Sequence, residues 1–199
     1  MSVLDQFRSI KKGLKLQPAD MDVRKLFPMF APARFFESGG WPGPFVLPGA
    51  RGVGVTWALD LPGAGMRYLD QSMRAHWEAV GVDWKAAALA NLGDASKERL
   101  FTHGLGRKNG GVFAIAMMHA DGWGPSRLLL RDALHHIFPE GYRVSVPEMS
   151  CGFAISRELE ETEEATIMGV IEKCFGNGTR PLAPGIFEAD EILPNWAAV

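Results

Sequence analysis

One stretch limits what this chain can fold into more than any other. From Ser38 to Gly54 it reads Ser-Gly-Gly-Trp-Pro-Gly-Pro-Phe-Val-Leu-Pro-Gly-Ala-Arg-Gly-Val-Gly. Proline lacks a backbone donor and glycine loses the most conformational freedom on ordering, so no helix survives here. Yet the stretch carries Trp41, Phe45 and Leu47. Disordered linkers are poor in such residues. Residues 38–54 therefore read as an ordered loop packed on a domain, and not as a boundary between two. Long loops of this kind often carry function.

The elements on either side follow from periodicity and punctuation. Val53, Val55, Trp57 and Leu59 alternate with smaller or polar residues, the pattern of a half-buried strand. Pro62-Gly63 makes a turn, and Met66 to Leu69 pairs back as a second strand. Asp70 caps a helix that carries Met73, His76, Trp77 and Val80 and stops at Gly81. Asp83 caps another through Leu92, where alanines at 86, 87, 88 and 90 favour helix. Lys108 to Gly111 is a turn before a buried strand, Val112 to Met118. Pro125 suits the first turn of a helix presenting Leu129, Leu130, Ala133, Leu134 and Ile137. Val144 to Ile155 is a strand or hairpin interrupted at Pro147. Glu160 to Glu164 suit the electropositive start of a helix with the stripe Ile167, Met168, Ile171, Cys174 and Phe175. Gly176 ends it, and Thr179 to Val199 is proline-punctuated coil in which Leu182, Ile186, Phe187 and Trp196 are available for packing.

Strands and helices mix without regular βαβ alternation. The expected fold class is α+β: an antiparallel sheet with helices packed mainly on one face. A chain of 199 residues fits a single domain, 1–199. Its first sixteen residues set Val3, Leu4, Phe7 and Ile10 at helical spacing against a basic face, which predicts an N-terminal amphipathic helix (1–16). A membrane-surface or partner-docking role for that helix is the alternative to a solvated face.

Composition removes several function classes. A net charge of −2 gives no electrostatic footprint for nucleic acid. The longest apolar run, Val112 to Met118, is far short of the roughly 20 residues a bilayer span needs. Met1 to Leu16 has no continuous apolar stretch after a basic start, so no signal peptide is expected. Two cysteines far apart in sequence form no disulfide framework, and a cytoplasmic location is expected.

The candidate chemistry centres on Cys151, between Ser150 and Gly152, with His135 and His136 upstream. A nucleophilic cysteine needs a lowered pKa and a paired base. In an extended segment, however, Cys151 shares a face with Phe153 and Ile155, the setting of a buried and inert thiol. The buried reading is the expected one. A thiol-dependent hydrolase or transferase with Cys151 as nucleophile and His135 or His136 as base is the alternative.

His119, Asp121, His135 and His136 are possible metal ligands by type, but adjacent histidines on a helix diverge by about 100°, so no metal is expected. Gly104 to Gly111, with Arg107 and Lys108, looks like a phosphate cradle but leads into a strand and not a helix, which makes it a hairpin turn. Gly176 to Arg180 follows a helix C-terminus, the wrong end for an anion. Glu148 and the cluster Glu158 to Glu164 read as a solvated helix start before paired catalytic carboxylates. Trp41, Trp123 and Trp196 lie in loops, either as outlying core or as anchors for a partner.

An ordered set of segments carries a resemblance. Gly54-Val-Thr-Trp-Ala-Leu-Asp-Leu, Met66-Arg-Tyr-Leu-Asp and Ala87-Ala-Leu-Ala-Asn-Leu92 come first. Ala120-Asp-Gly-Trp-Gly-Pro-Ser-Arg-Leu-Leu, Val144-Ser-Val-Pro147 and Gly178-Thr-Arg-Pro-Leu182 follow. From about Val53 to Glu188 the chain resembles the YtpQ-like family of uncharacterised bacterial proteins, while the first fifty residues and the Gly/Pro loop depart from it. The resemblance implies a cytoplasmic α+β domain and carries over no reaction and no catalytic residue.

The expectation is thus a non-enzymatic, adaptor or immunity-type domain. It would hold a protein partner through Trp41 and Phe45, joined by Asp121 and Trp123, without a cofactor. A small ligand between sheet and helices is a further possibility that sequence does not address.

Overall fold

The computed structural model describes residues 21–48, 52–61, 63, 65–108 and 110–192. The expected N-terminal helix, residues 49–51 of the loop and Trp196 lie outside these. The fold is α+β, with two antiparallel sheets where the sequence predicted one.

The first sheet is built on β3 (Val53–Leu61). Residues 53–59 of it pair on one side with β1 (Leu26–Pro32), from Leu26↔Leu59 to Pro32↔Val53. Two short strands share its other side in tandem: β2 (Phe45–Val46) opposite Thr56 and Val55, and β4 (Gly65–Tyr68) opposite Leu61 to Ala58. β1 contains Pro28 and Pro32, which are tolerated because the strand lies at the sheet's edge. A short helix, α1 (Arg34–Glu37), follows it.

Two capped helices pack on this sheet. Asp70 Oδ1 accepts from the backbone of Ser72 and Met73 to start α2 (Gln71–Ala79). Asp83 Oδ1 accepts from Ala86 to start α3 (Trp84–Ser96). Leu26, Trp57 and Leu59 of the sheet meet Met73, Trp77, Trp84 and Ala88 of the helices in one apolar cluster. α3 runs along β1, and Asn91 Nδ2 donates to the carbonyls of Val23 and Leu26 at 2.8 and 2.9 Å, which satisfies part of the strand edge.

The second sheet has the order β5 (His103–Gly106), β6 (Val112–Met117), β8 (Cys151–Ser156), β7 (Tyr142–Glu148), β9 (Phe187–Glu188). The expected Val144 to Ile155 segment is a hairpin with its turn at Met149-Ser150. The supposed phosphate loop is the turn joining β5 to β6, with Gly110 and Gly111 at φ +94° and +80°, the region that favours glycine. α5 (Glu161–Asn177) begins with a reciprocal capping box between Glu160 and Glu163 and covers one face through Ile167 and Ile171. A last helical turn, α6 (Ala189–Ile192), follows β9, so part of the expected coil is ordered structure.

The predicted helix from Pro125 is broken at Leu130 (φ −84°, ψ +66°) into a 3-10 stretch, Pro125–Leu129, and α4 (Arg131–Ile137). All five residues of the 3-10 stretch are buried, so an amphipathic rule does not apply to it. It contacts β1, α3 and β8 and joins the two sheets. The largest apolar cluster accordingly draws Met29, Phe30 and Val55 from the first sheet, Ile115, Val144 and Ala154 from the second, and Trp123, Leu128 and Leu129 from between them.

Gly152 shows how this close approach is achieved. A Cβ there would lie 2.9 Å from Pro125 Cα and 3.1 Å from Leu128 Cδ1. The glycine beside Cys151 therefore faces the 3-10 stretch, and Cys151 faces the opposite side of the sheet.

Candidate functional site

The Gly/Pro loop is ordered by aromatic packing. Phe36 of α1 is buried, and Phe45 stacks on it with centroids 4.7 Å apart and planes 11° apart. Trp41 meets Phe36 edge-on at 4.9 Å and Tyr68 of β4 at 4.6 Å. Its indole Nε1 donates to Thr56 Oγ1 at 3.3 Å, and that hydroxyl donates to the Pro44 carbonyl at 3.0 Å. Next to Trp41, the loop is fixed by Gln71 N–H donating to the Pro42 carbonyl at 3.2 Å. Gly43 is obligatory at the contact, because a Cβ would sit 1.8 Å from the Leu69 carbonyl oxygen. Trp41 is half-buried by these partners, while Phe45 remains 41% exposed and Leu47 46% exposed.

Beside Phe45 lies a shallow cleft of about 280 Å³ lined by Gly43, Pro44, Phe45, Gln71, Arg74, Trp84 and Lys85. Its charged groups are already engaged. Arg74 Nε donates to Glu78 Oε1 at 2.7 Å, and the Lys85 ammonium lies 5.5 Å from the centre of the Trp84 ring. The cleft offers an aromatic wall with a polar rim, the usual anatomy of a contact surface.

The second sequence-predicted loop is arranged differently. Trp123 is 2% exposed and stacks on Phe27 at 4.6 Å. It belongs to the core and offers no ring to a partner, which corrects its place in the expected surface. Asp121 stays partly exposed. Its Oδ1 accepts from the Trp123 N–H at 2.9 Å, and its two oxygens take a forked pair from Arg127 at 2.7 and 3.2 Å. Arg127 is itself 1% exposed and also donates to the Ala95 carbonyl at 3.1 Å. Partial burial opposes the Asp121 carboxylate's charge. The Arg127 hydrogen bond, the Trp123 N–H and the nearby positive charge outweigh it and hold its pKa below the usual carboxylate value. Asp121 is thus a structural anion.

The two loops still meet the same strand. Met66, on β4 two residues before Tyr68, is 43% exposed, and a Cβ on Gly122 would lie 2.3 Å from its Cε. Trp41 packs on Tyr68 at one end of β4, and the 121–123 loop abuts Met66 at the other. Sequence reasoning missed Met66 as a surface residue because strand alternation alone does not say which end of a short edge strand is covered.

Cys151 is 2% exposed and packs with Phe153, Ile155, Ile167 and Ile171. Burial, then the neighbouring Cys174 and Glu148, push its thiol pKa up, away from the thiolate a nucleophile needs. His135 packs edge-on against Tyr142 at 5.1 Å, and His136 Nδ1 lies 2.6 Å from the Asp132 carbonyl. Leu134, Phe138 and Tyr142 belong to the cluster on the other side of the sheet from Cys151. The structure therefore does not bring Cys151 and either histidine together.

His119 Nε2 lies 3.0 Å from the Arg99 carbonyl, and the described residues contain no group of three or more His, Cys, Asp or Glu placed to hold a metal ion. Arg107 of the supposed phosphate loop is committed to Glu163, at 3.1 Å, and to the Glu158 carbonyl. Buried Glu148 accepts from both the backbone and hydroxyl of Ser150 and from Arg180 N–H, which ties the hairpin turn to the segment after α5. Among the described residues no helix is long and apolar enough to cross a membrane.

No family model, curated protein or solved structure matches the chain.

Proposed function

We propose that this chain is a cytoplasmic protein-binding module of the adaptor or immunity type, with its contact surface on the 38–48 loop and the adjoining strand β4. One observation carries the reading: Phe45 is 41% exposed although its ring is stacked on buried Phe36. An aromatic side chain held rigid in water loses little further entropy on contact, which is what makes such residues anchors in interfaces. Leu47 and Met66, at 46% and 43% exposure, extend the apolar surface. Arg74, Gln71 and Lys85 supply its rim. The resemblance to the YtpQ-like family adds an expectation of fold and location, and no chemistry.

Trp41 is bonded into the fold, so removing it would test stability and binding together. Phe45→Ala and Leu47→Ala keep the Trp41 hydrogen bond and its contacts with Phe36 and Tyr68, and are the sharper probes. The tagged chain and the Phe45→Ala/Leu47→Ala variant are used to capture partners from native lysate, with Val80→Ala, a 62% exposed apolar residue on α2's end, as the control. A stoichiometric partner held by the wild type and the control, and lost at least tenfold in the double variant, supports the module. A partner held equally by all three removes this surface from consideration.

A further inference from the structure

We propose that Cys151 and Cys174 form a reversible disulfide that clasps α5 to β8 when the protein meets a hydroperoxide. The two sulfurs lie 3.5 Å apart, and both are free thiols in this structure. Cys151 is the first residue of β8 and Cys174 sits in the last turn of α5. A disulfide requires sulfurs about 2.05 Å apart, so closure asks for about 1.5 Å of movement shared between a strand end and a helix end. The pair combines two properties that separate a redox site from an inert core thiol. Cys174 is partly exposed and so open to an oxidant, whereas Cys151 is buried directly behind it.

The division of roles follows from that access. Cys174 Sγ attacks one peroxide oxygen, the O–O bond breaks, and a sulfenic acid and one water (or alcohol) result. Cys151 Sγ then attacks the Cys174 sulfur. The S–O bond breaks, the S–S bond forms, and the leaving hydroxide departs as water with the Cys151 proton. Two thiols and one hydroperoxide give one disulfide, two molecules of water from hydrogen peroxide, and no other product. Burial disfavours the Cys151 thiolate, which makes it a poor first nucleophile, and the 3.5 Å between the two sulfurs is what places it for the resolving step once Cys174 is oxidised. A small dithiol reverses the bond by exchange. Because α5 covers one face of the second sheet through Ile167 and Ile171, the bond would pin that cover in place.

The test treats the intact protein with hydrogen peroxide, then unfolds it in the presence of an alkylating reagent and measures intact mass. The expected result is a monomer lighter by two hydrogens with neither thiol alkylated, restored to two alkylated thiols by dithiothreitol, and a urea midpoint higher in the oxidised form. In Cys151→Ala, which keeps a small apolar side chain in the core and so protects the fold, Cys174 should stop at the sulfenic acid and be trapped by a 1,3-dione probe. In Cys174→Ser, Cys151 should remain an unreacted thiol. Two alkylated thiols in the oxidised wild type would overturn the proposal. So would a disulfide-linked dimer, or conversion of Cys174 to a sulfinic acid with Cys151 still free.

Discussion

Replacing Asp121 with alanine gives a demanding test of the packing between the two sheets. The guanidinium of Arg127 is 1% exposed, and Asp121 is the only charged group bonded to it among the described residues. Removing one partner of a buried ion pair costs about 3–5 kcal/mol, because the other charge is left uncompensated. Here Asp121 is 39% exposed, so water can enter the vacated space and the cost falls to about 2–3 kcal/mol. Loss of the bond from the Trp123 N–H adds about 1 kcal/mol. The expected destabilisation is thus about 3–4 kcal/mol, a large share of the ~5–15 kcal/mol available to a domain. Arg127→Met should cost less than Asp121→Ala, since it removes the buried charge and leaves an acid that water already reaches. The double variant should be more stable than Asp121→Ala alone, a non-additivity that double-mutant cycles resolve. Acid should mimic the single variant. Asp121 has its pKa depressed in the folded state, so its contribution is fully present above the ordinary carboxylate pKa near 4 and is lost as pH falls through the lower folded value. The assay is urea unfolding followed by tryptophan fluorescence at constant m. A loss below about 1 kcal/mol for Asp121→Ala, or a double variant at least as unstable as the sum of the singles, would refute the account.

Three further outcomes follow from single positions. Gly43→Ala should lose about 2–3 kcal/mol, because its Cβ would collide with the Leu69 backbone, whereas Gly40→Ala, with nothing within 4 Å, should stay within about 0.5 kcal/mol on the same urea curve. Ser145 is fully buried with no partner for its hydroxyl among the described residues, so Ser145→Ala should be neutral or stabilise by up to about 1 kcal/mol, and a clear loss in thermal midpoint would show a missed hydrogen bond. Burial raises the Tyr142 phenol to about 12, with Arg131 opposing and Asp190 and Asp132 adding to the shift. Its stabilisation is therefore whole below pH 10 and lost as pH rises from 10 towards 12, and Tyr142→Phe should flatten that alkaline fall in a pH series of unfolding midpoints.

What the sequence made legible was local. Asp70 and Asp83 cap helices as their side-chain chemistry predicts, and the glycines at 110 and 111 turn a hairpin. Cys151 shares a face with Phe153 and Ile155, as two-residue alternation requires. What escaped was decided by partners distant in sequence. Leu26–Pro32 carries two prolines, which argue against a strand unless its edge position is known. The 3-10 stretch has no polar face because structure surrounds it, so helical periodicity misread it as one long helix with α4. Trp123 sits in a loop rich in glycine, yet that loop turns inward against Phe27. The short distance between Cys151 and Cys174 depends on how α5 lies over β8, and no spacing rule connects them.

The separation of the two sheets along the chain has a consequence for synthesis. Among the described residues, every strand of the first sheet lies before residue 69 and every strand of the second after residue 102. On the ribosome, the first sheet and its two capped helices can therefore assemble while the second is still untranslated. Met29, Phe30 and Val55, which the finished protein buries against the 3-10 stretch and its neighbours, would spend that interval without their cover. The nascent half-molecule thus has a defined sticky surface for a defined length of translation, one that a chaperone can shield and that refolding from denaturant, with both halves present together, never isolates.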